Sequence, residues 1–164
     1  MSVRYRIRPA VQADGAFLAD MVVEAANWRS GATRPRHEVL DAPEHRRYVS
    51  GWMRPGDSGF VAEATTGEGI GAAWYRMLPR SAPGFGYIAT GVPELIIGVR
   101  PIWRAHGVGR ALLRELVERA SADGYARLSL SVERDNYAVT LYRSEGFVVT
   151  APGFGRDTMV RRLH

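Results

Sequence analysis

The apolar run "ELIIGV", Glu94 to Val99, is followed at once by "RPIWRAHGVGRALLRELVERA", with two glycines at the entrance of an amphipathic helix. This juncture constrains the fold more than any other feature of the chain. The run reads as a buried strand. Ser, Thr or Asp would cap the following helix better than glycine does. Glycine instead takes Cβ out of the way of a ligand that approaches the backbone. The free N–H groups and positive dipole end of a helix favour phosphate oxygens, and Arg104, His106 and Arg110 add positive charge there. Pro101 ends the strand ladder and releases the chain into the loop.

Other phosphate-binding patterns fail on spacing. A dinucleotide fingerprint needs Gly or Ala three residues after Gly109, where Leu112 stands, and the Gly-Lys-Ser/Thr of a P-loop is absent. The glycine pair by itself also fits a helix entrance that holds no ligand.

The rest of the chain supplies the context. "VRYRIR" alternates Val3, Tyr5 and Ile7 against arginines, the period of a half-buried strand. A helix carrying Phe17, Leu18, Met21, Val22 and Ala25 starts near Asp14, and a short helix is expected over Glu44 to Met53. "GFVAEA" and "GIGAAWYRML" form a hairpin through "TTGEG". A Gly/Pro-rich loop, "PRSAPGFGYIATGVP", leads into the apolar run. Beyond the helix come the strand "ARLSLSV", a helix over Asn136 to Ser144, and the strands "GFVVT" and "RDTMVRRL". Strands followed by βαβ-type crossings predict an α/β fold with a mixed sheet, one domain spanning residues 1–164.

Composition excludes several function classes. The chain has no cysteine, hence no disulfide, thiolate nucleophile or Cys-ligated metal. No apolar run is long enough to span a membrane, and "MSVRYRIRPA" lacks the apolar core of a signal peptide. A cytoplasmic protein is expected. The net charge of +5 favours polyanions. However, the densest basic spots are only "EHRRYV" and "MVRRLH", so no nucleic-acid partner is expected, and a basic surface that attracts a phosphorylated cofactor would look the same as one that attracts nucleic acid. His37, His45, His106 and His164 show no metal-ligand spacing, and no metal is expected. "GDSGF" lacks the Gly-Pro that follows the serine-protease nucleophile, and the chain is too short for two barrels.

"RAHGVG", set after a strand, fits Arg/Gln-x-x-Gly-x-Gly/Ala and resembles the acyl-CoA pyrophosphate loop of the GNAT superfamily of N-acyltransferases. "SVERDNYAVTLYRSEGF" is similar to that superfamily's later strand–helix–strand, with Asn136, Ala138, Leu141-Tyr142 and Gly146-Phe147 in order. Two motifs in the right order are far more specific than either one.

The resemblance implies a mixed, mostly antiparallel central sheet flanked by helices, with a splay between its two middle strands. It implies acetyl-CoA as cosubstrate, its phosphates on the loop Arg104, Ala105, His106, Gly107, Val108, Gly109 and Arg110. The pantetheine arm would pair with the backbone of Ile97 and Val99, and the Ile97 N–H would polarise the thioester carbonyl. Asn136 would cap its helix and reach the pantetheine. Tyr142 would protonate the leaving thiolate, or else pack in the core. Glu94, at the spacing of the glutamate in phosphinothricin-type acetyltransferases, would be the acceptor's base or else a strand-end carboxylate. Strand parity sets it on the opposite face from Ile97 and Val99 unless a bulge intervenes.

The implied reaction is acetyl transfer to a primary amine of a small molecule or peptide by direct attack. Protein N-terminal acetylation, a non-catalytic acyl-CoA-binding module and a basic nucleic-acid binder, which steep salt dependence would mark, are the alternatives. A homodimer is left open. The acceptor pocket is expected to be built from Asn27 to Asp57 and the loop Pro79 to Pro93, which carry no motif, and Trp28, Trp52, Trp74 and Tyr75 could line it or fill the core. Arg29, Arg76 and Arg80 would suit an acidic acceptor or be solvated charge.

Overall fold

The computed structural model describes residues 4–29, 31 and 33–163, so Val3 and His164 lie outside the described residues. In chain order the elements are β1 (Tyr5–Pro9), α1 (Gly15–Ala26), α2 (Arg36–Asp41), α3 (Pro43–Arg46), β2 (Ser58–Ala64), β3 (Gly69–Arg76) and β4 (Glu94–Val99). Then follow α4 (Val108–Ala122), β5 (Arg127–Glu133), α5 (Ala138–Ser144), β6 (Val148–Pro152) and β7 (Arg156–Arg162). The strands make one seven-stranded sheet in the order β1-β2-β3-β4-β5-β7-β6. Among the described residues, no helix is long and apolar enough to cross a membrane.

The expected mixed, mostly antiparallel sheet is the one that forms. Every neighbouring pair is antiparallel except β4 and β5, which run parallel. Those two meet at one register position, Glu94 opposite Ser129, where the Ser129 N–H donates to the Pro93 carbonyl at 3.1 Å. Beyond this rung they splay.

The ladder on the other side of β4 fixes what faces the splay. Val99 stands opposite Gly71 and Ile97 opposite Ala73, and the Arg100 N–H donates to the Ile70 carbonyl at 2.8 Å. Hydrogen-bonded and open pairs alternate along an antiparallel ladder. Ile96 and Gly98 therefore bond to β3, while the N–H and C=O groups of Ile97 and Val99 point into the gap.

Each face of the sheet has its own core. Leu112, Leu113 and Leu116 of α4 pack with Tyr75, Leu95 and Leu130 on one side. Leu18, Met21 and Val22 of α1 pack with Val61, Ala72 and Trp74 on the other. Helix α1 lies so close to β4 that a Cβ on Gly98 would sit 2.3 Å from the Met21 carbonyl oxygen. Its start is tied to β1 by Asp14, whose carboxylate takes two 2.8 Å hydrogen bonds from Arg8 and one of 2.7 Å from the Val11 N–H.

The helix expected over Glu44 to Met53 is cut short. Helix α3 covers only its start, Glu44 to Arg46, with turns after it, and a second short helix, α2, stands earlier in the chain. Ala42, at φ −74° and ψ 119°, is extended between them. It precedes Pro43, whose ring drives the residue before it out of the α region.

Candidate active site

A cavity of about 420 Å³ opens where β4 and β5 part. One wall is the loop into α4. Gly107 there has φ 82° and ψ 1°, and Ala105 has φ 62°, unusual for a residue with a side chain. Two arginines hold this wall in place. Arg104 donates to the Val99 carbonyl at 3.2 Å and to the Glu24 carbonyl at 3.3 Å, pinning the loop to α1. Arg110 donates to Ser144 Oγ at 2.9 Å and to Glu145 at 2.8 Å, pinning α4 to the end of α5. Arg114 shares that carboxylate at 2.7 Å and, with Arg110, holds its pKa below the usual range.

The two glycines differ in what they answer to. Gly107 is in the left-handed region, which glycine adopts without strain. Gly109 is not, and a Cβ there would meet Leu141 at 3.6 Å and Val99 at 3.9 Å, ordinary contacts. Nothing among the described residues requires glycine at 109. A free helix N-terminus, an unpaired strand backbone and a bare Cα at the cavity wall form a cradle that suits a phosphorylated, strand-like ligand.

The cavity brings together Glu94, Ile97, Val99, Arg104, Ala105 and Gly107 with Gly109, Arg110, Asn136 and Tyr142. The side chains of His106 and Val108 do not line it. The His106 ring packs edge-on to Trp103 at 6.1 Å, and Val108, the first residue of α4, is buried in the core. Asn136 Oδ1 accepts the Ala138 N–H at 2.9 Å, as a cap does.

Glu94 is 4% exposed. The pairing of β4 with β3 shows no register shift, and the glutamate faces the α1 side of the sheet with Ile96. Its Oε2 accepts the Tyr48 hydroxyl and the Gly86 N–H, the latter at 3.0 Å. Its Oε1 is buried with no hydrogen-bond partner among the described residues. Burial raises its pKa to about 7, against the lowering effect of the Tyr48 and Gly86 hydrogen bonds. Burial and the nearby Glu94 charge push the Tyr48 phenol well up in turn. A carboxyl group with this proton affinity can both take and give a proton near neutrality.

Tyr142 is 9% exposed, with its ring edge-on to Phe147 at 6.0 Å. Burial, with a smaller effect of Tyr137, raises its pKa to about 12, so the phenol keeps its proton at neutral pH.

The second half of the cavity contains residues that the sequence did not name one by one, with Trp28 the exception, although Tyr48 and Phe85 fall in the two segments expected to build the acceptor pocket. Tyr48 comes from the turn after α3, Phe85 from the Gly/Pro-rich loop, and Arg156 from the start of β7. The one local signal was "PGFGY". A Cβ on Gly84 would lie 2.2 Å from Glu94 Oε1, and one on Gly86 would lie 2.6 Å from the Leu130 carbonyl carbon. The arginines suggested for an acidic acceptor lie elsewhere. Arg76 is 1% exposed, held by Asp57 at 2.6 and 3.0 Å and by the carbonyls of Arg47 and Ser50. Arg29 stacks on Trp28 at 4.8 Å, and Arg80 is exposed. Trp52, Trp74 and Tyr75 are core residues. Among the described residues no group of three His, Cys, Asp or Glu gathers in a metal-binding arrangement.

The sequence profile of the acetyltransferase (GNAT) family matches residues 10–147. A mycothiol acetyltransferase of Nocardiopsis dassonvillei is 34% identical over 153 residues, which is 89% of this chain and 43% of that protein. The chain spans less than half the length of the curated relatives it matches. A ribosomal-protein-alanine N-acetyltransferase from Brucella melitensis superposes with a TM-score of 0.67 at 25% identity, covering 96% of this chain and 99% of that one. A phosphinothricin acetyltransferase from Sinorhizobium meliloti, solved with acetyl-CoA, gives 0.69 at 24% identity, covering 96% and 88%. The profile takes in both the glycine-bearing helix entrance and the Asn136–Phe147 segment, and the chain belongs to the acetyltransferase (GNAT) family.

Proposed function

We propose that residues 1–164 act as one acetyl-CoA-dependent N-acetyltransferase domain that acetylates a primary amine of a small molecule or peptide by direct attack. The observation that carries this reading is the buried Glu94 with a pKa of about 7, in one cavity with the splayed backbone of β4 and the glycine-bearing helix entrance.

Acetyl-CoA, when bound, supplies an acetyl group activated as a thioester. The amides opening α4 and the Arg110 charge suit its phosphates. The Ile97 N–H, pointing into the gap, is positioned as a hydrogen-bond donor for a carbonyl oxygen. Glu94 takes a proton from the acceptor ammonium through water, because only the neutral amine is nucleophilic. Tyr142, protonated at neutral pH, holds a proton for a departing thiolate. The chain has no cysteine to form an acyl-enzyme.

The relatives support amine acceptors of two kinds. One is named for mycothiol and the other for the alanine of a ribosomal protein. A screen of small amines and N-terminal peptides with free CoA as the signal tests the proposal. Acceptor-dependent CoA release is expected for at least one class. Tight acetyl-CoA binding with no release for any acceptor would reduce the domain to a binding module.

A further inference from the structure

Glu133 and Arg156 stand directly opposite each other on β5 and β7. Opposite charges so placed ordinarily attract across the strands. Here they are held apart. Glu133 accepts the indole N–H of Trp28, which reaches it from the end of α1. Arg156 Nε donates to Ser131 Oγ at 2.8 Å, and its guanidinium lies over the Phe85 ring at 4.1 Å. Among the described residues no carboxylate pairs with Arg156, and neither Nη atom has a hydrogen-bond partner.

An oriented guanidinium with its fork free is well shaped for a carboxylate, which it binds through two parallel hydrogen bonds. Both Nη atoms are open to the cavity rather than sealed in the fold, so an anion entering the cavity can take them as a pair. Arg156 lines the same cavity as Glu94, Phe85, His45 and Arg34. The other cations there are committed or muted. Arg34 donates to the Ala26 carbonyl at the end of α1, and burial lowers the pKa of His45. Arg104 and Arg110 are paired with Glu24 and Glu145. The acceptor side therefore offers carboxylates for an ammonium, from Glu94 and Glu133, and one free fork for an anion.

We infer that the acceptor is an amine that carries its own carboxylate, an amino acid rather than a peptide N-terminus, with that carboxylate held by the Nη1 and Nη2 of Arg156. The inference rests on the reading of this cavity as an amine acetyltransferase site. Ser131 and Phe85 are positioning residues that keep the fork away from Glu133.

The test uses matched acceptors, the proteinogenic amino acids and their carboxamides, together with O-phosphoethanolamine. The ratio of kcat/KM for acid over amide should be at least about tenfold in the wild type. It should fall to near one in Arg156→Gln and to an intermediate value in Arg156→Lys, which keeps the charge without the fork. The ratio is internal, so partial misfolding of a variant lowers both rates and leaves it unchanged. Equal rates for acids and amides, or an unchanged ratio in Arg156→Gln, would overturn the inference. So would a preference for O-phosphoethanolamine over every amino acid, which points to a phosphate. Turnover of neither series also overturns it, while release of CoA with other amines or peptides leaves the acetyltransferase reading standing.

Discussion

The hydroxyl of Tyr48 donates to Glu94 Oε2 across 46 residues of sequence and accepts the Phe85 N–H at 2.9 Å. With the Gly86 N–H on the same oxygen, Oε2 is occupied and Oε1 is the oxygen left without a partner among the described residues. Tyr48→Phe removes a hydrogen bond that favours the carboxylate, so the Glu94 pKa should rise above about 7. The acid limb of the kcat/KM profile should move to higher pH, with the rate recovering toward wild type on the alkaline side. A uniform loss at every pH would make Tyr48 a packing residue.

The same burial ties Glu94 to stability. Its pKa is about 7 in the fold against an ordinary 4.5, so the folded chain holds this proton more tightly than the unfolded chain does. The stabilisation is fully present below about pH 4.5 and is lost as the pH rises through about 7. The difference is up to about 3 kcal/mol at 1.36 kcal/mol per unit. Glu94→Gln removes this dependence. Urea titrations at pH 5 and pH 8 should show wild type losing stability relative to the variant over that interval, and parallel behaviour would count against the raised pKa.

Gly107 and Gly109 should separate stability from binding. Gly107→Ala places a Cβ in open space but keeps φ at 82°, a conformation costing an L-residue about 1–2 kcal/mol. Its melting temperature should fall. Gly109→Asp meets only ordinary contacts and adds an acid to the first turn of α4, which favours the helix. Its stability should hold or rise, while calorimetry shows acetyl-CoA affinity reduced at least about tenfold by the charge beside the phosphates. Unchanged affinity would remove the helix entrance from the site.

Tyr142→Phe keeps the ring against Phe147 and removes only the hydroxyl. If that hydroxyl supplies a proton, single-turnover rates should fall by at least tens of fold, since a general acid contributes about 10²–10⁴. Melting temperature and acetyl-CoA affinity should stay near wild type. With its pKa at about 12, Tyr142 should contribute no alkaline limb below pH 10. A wild-type rate for the chemical step would leave water as the donor.

What was legible in the sequence was local. The run from Glu94 to Val99, the two glycines and α4 follow from neighbouring residues alone, and strand parity sets the face of Glu94. The partners of Glu94 were not legible, because Tyr48 and Gly86 arrive from separate segments through tertiary packing. Arg76 follows an apolar run and gives no sign that Asp57 neutralises it from β2's leading turn. Arg156 is one arginine among many until the β5–β7 register sets it opposite Glu133. The helix expected over Glu44 to Met53 starts at Pro43, because the ring drives Ala42 out of the α region and separates α2 from α3.

The single rung between β4 and β5 has a consequence for how such a chain diversifies. The width of the gap is not dictated by a hydrogen-bond ladder. It depends on the bulk of side chains around it, such as Val99, Leu130 and Leu141. Exchanges among apolar residues of similar volume typically cost under about 1.5 kcal/mol. If the gap takes the acyl group as proposed, room for a longer or shorter chain can change in small steps, each tolerated by the fold, while Glu94 and Tyr142 stay where they are.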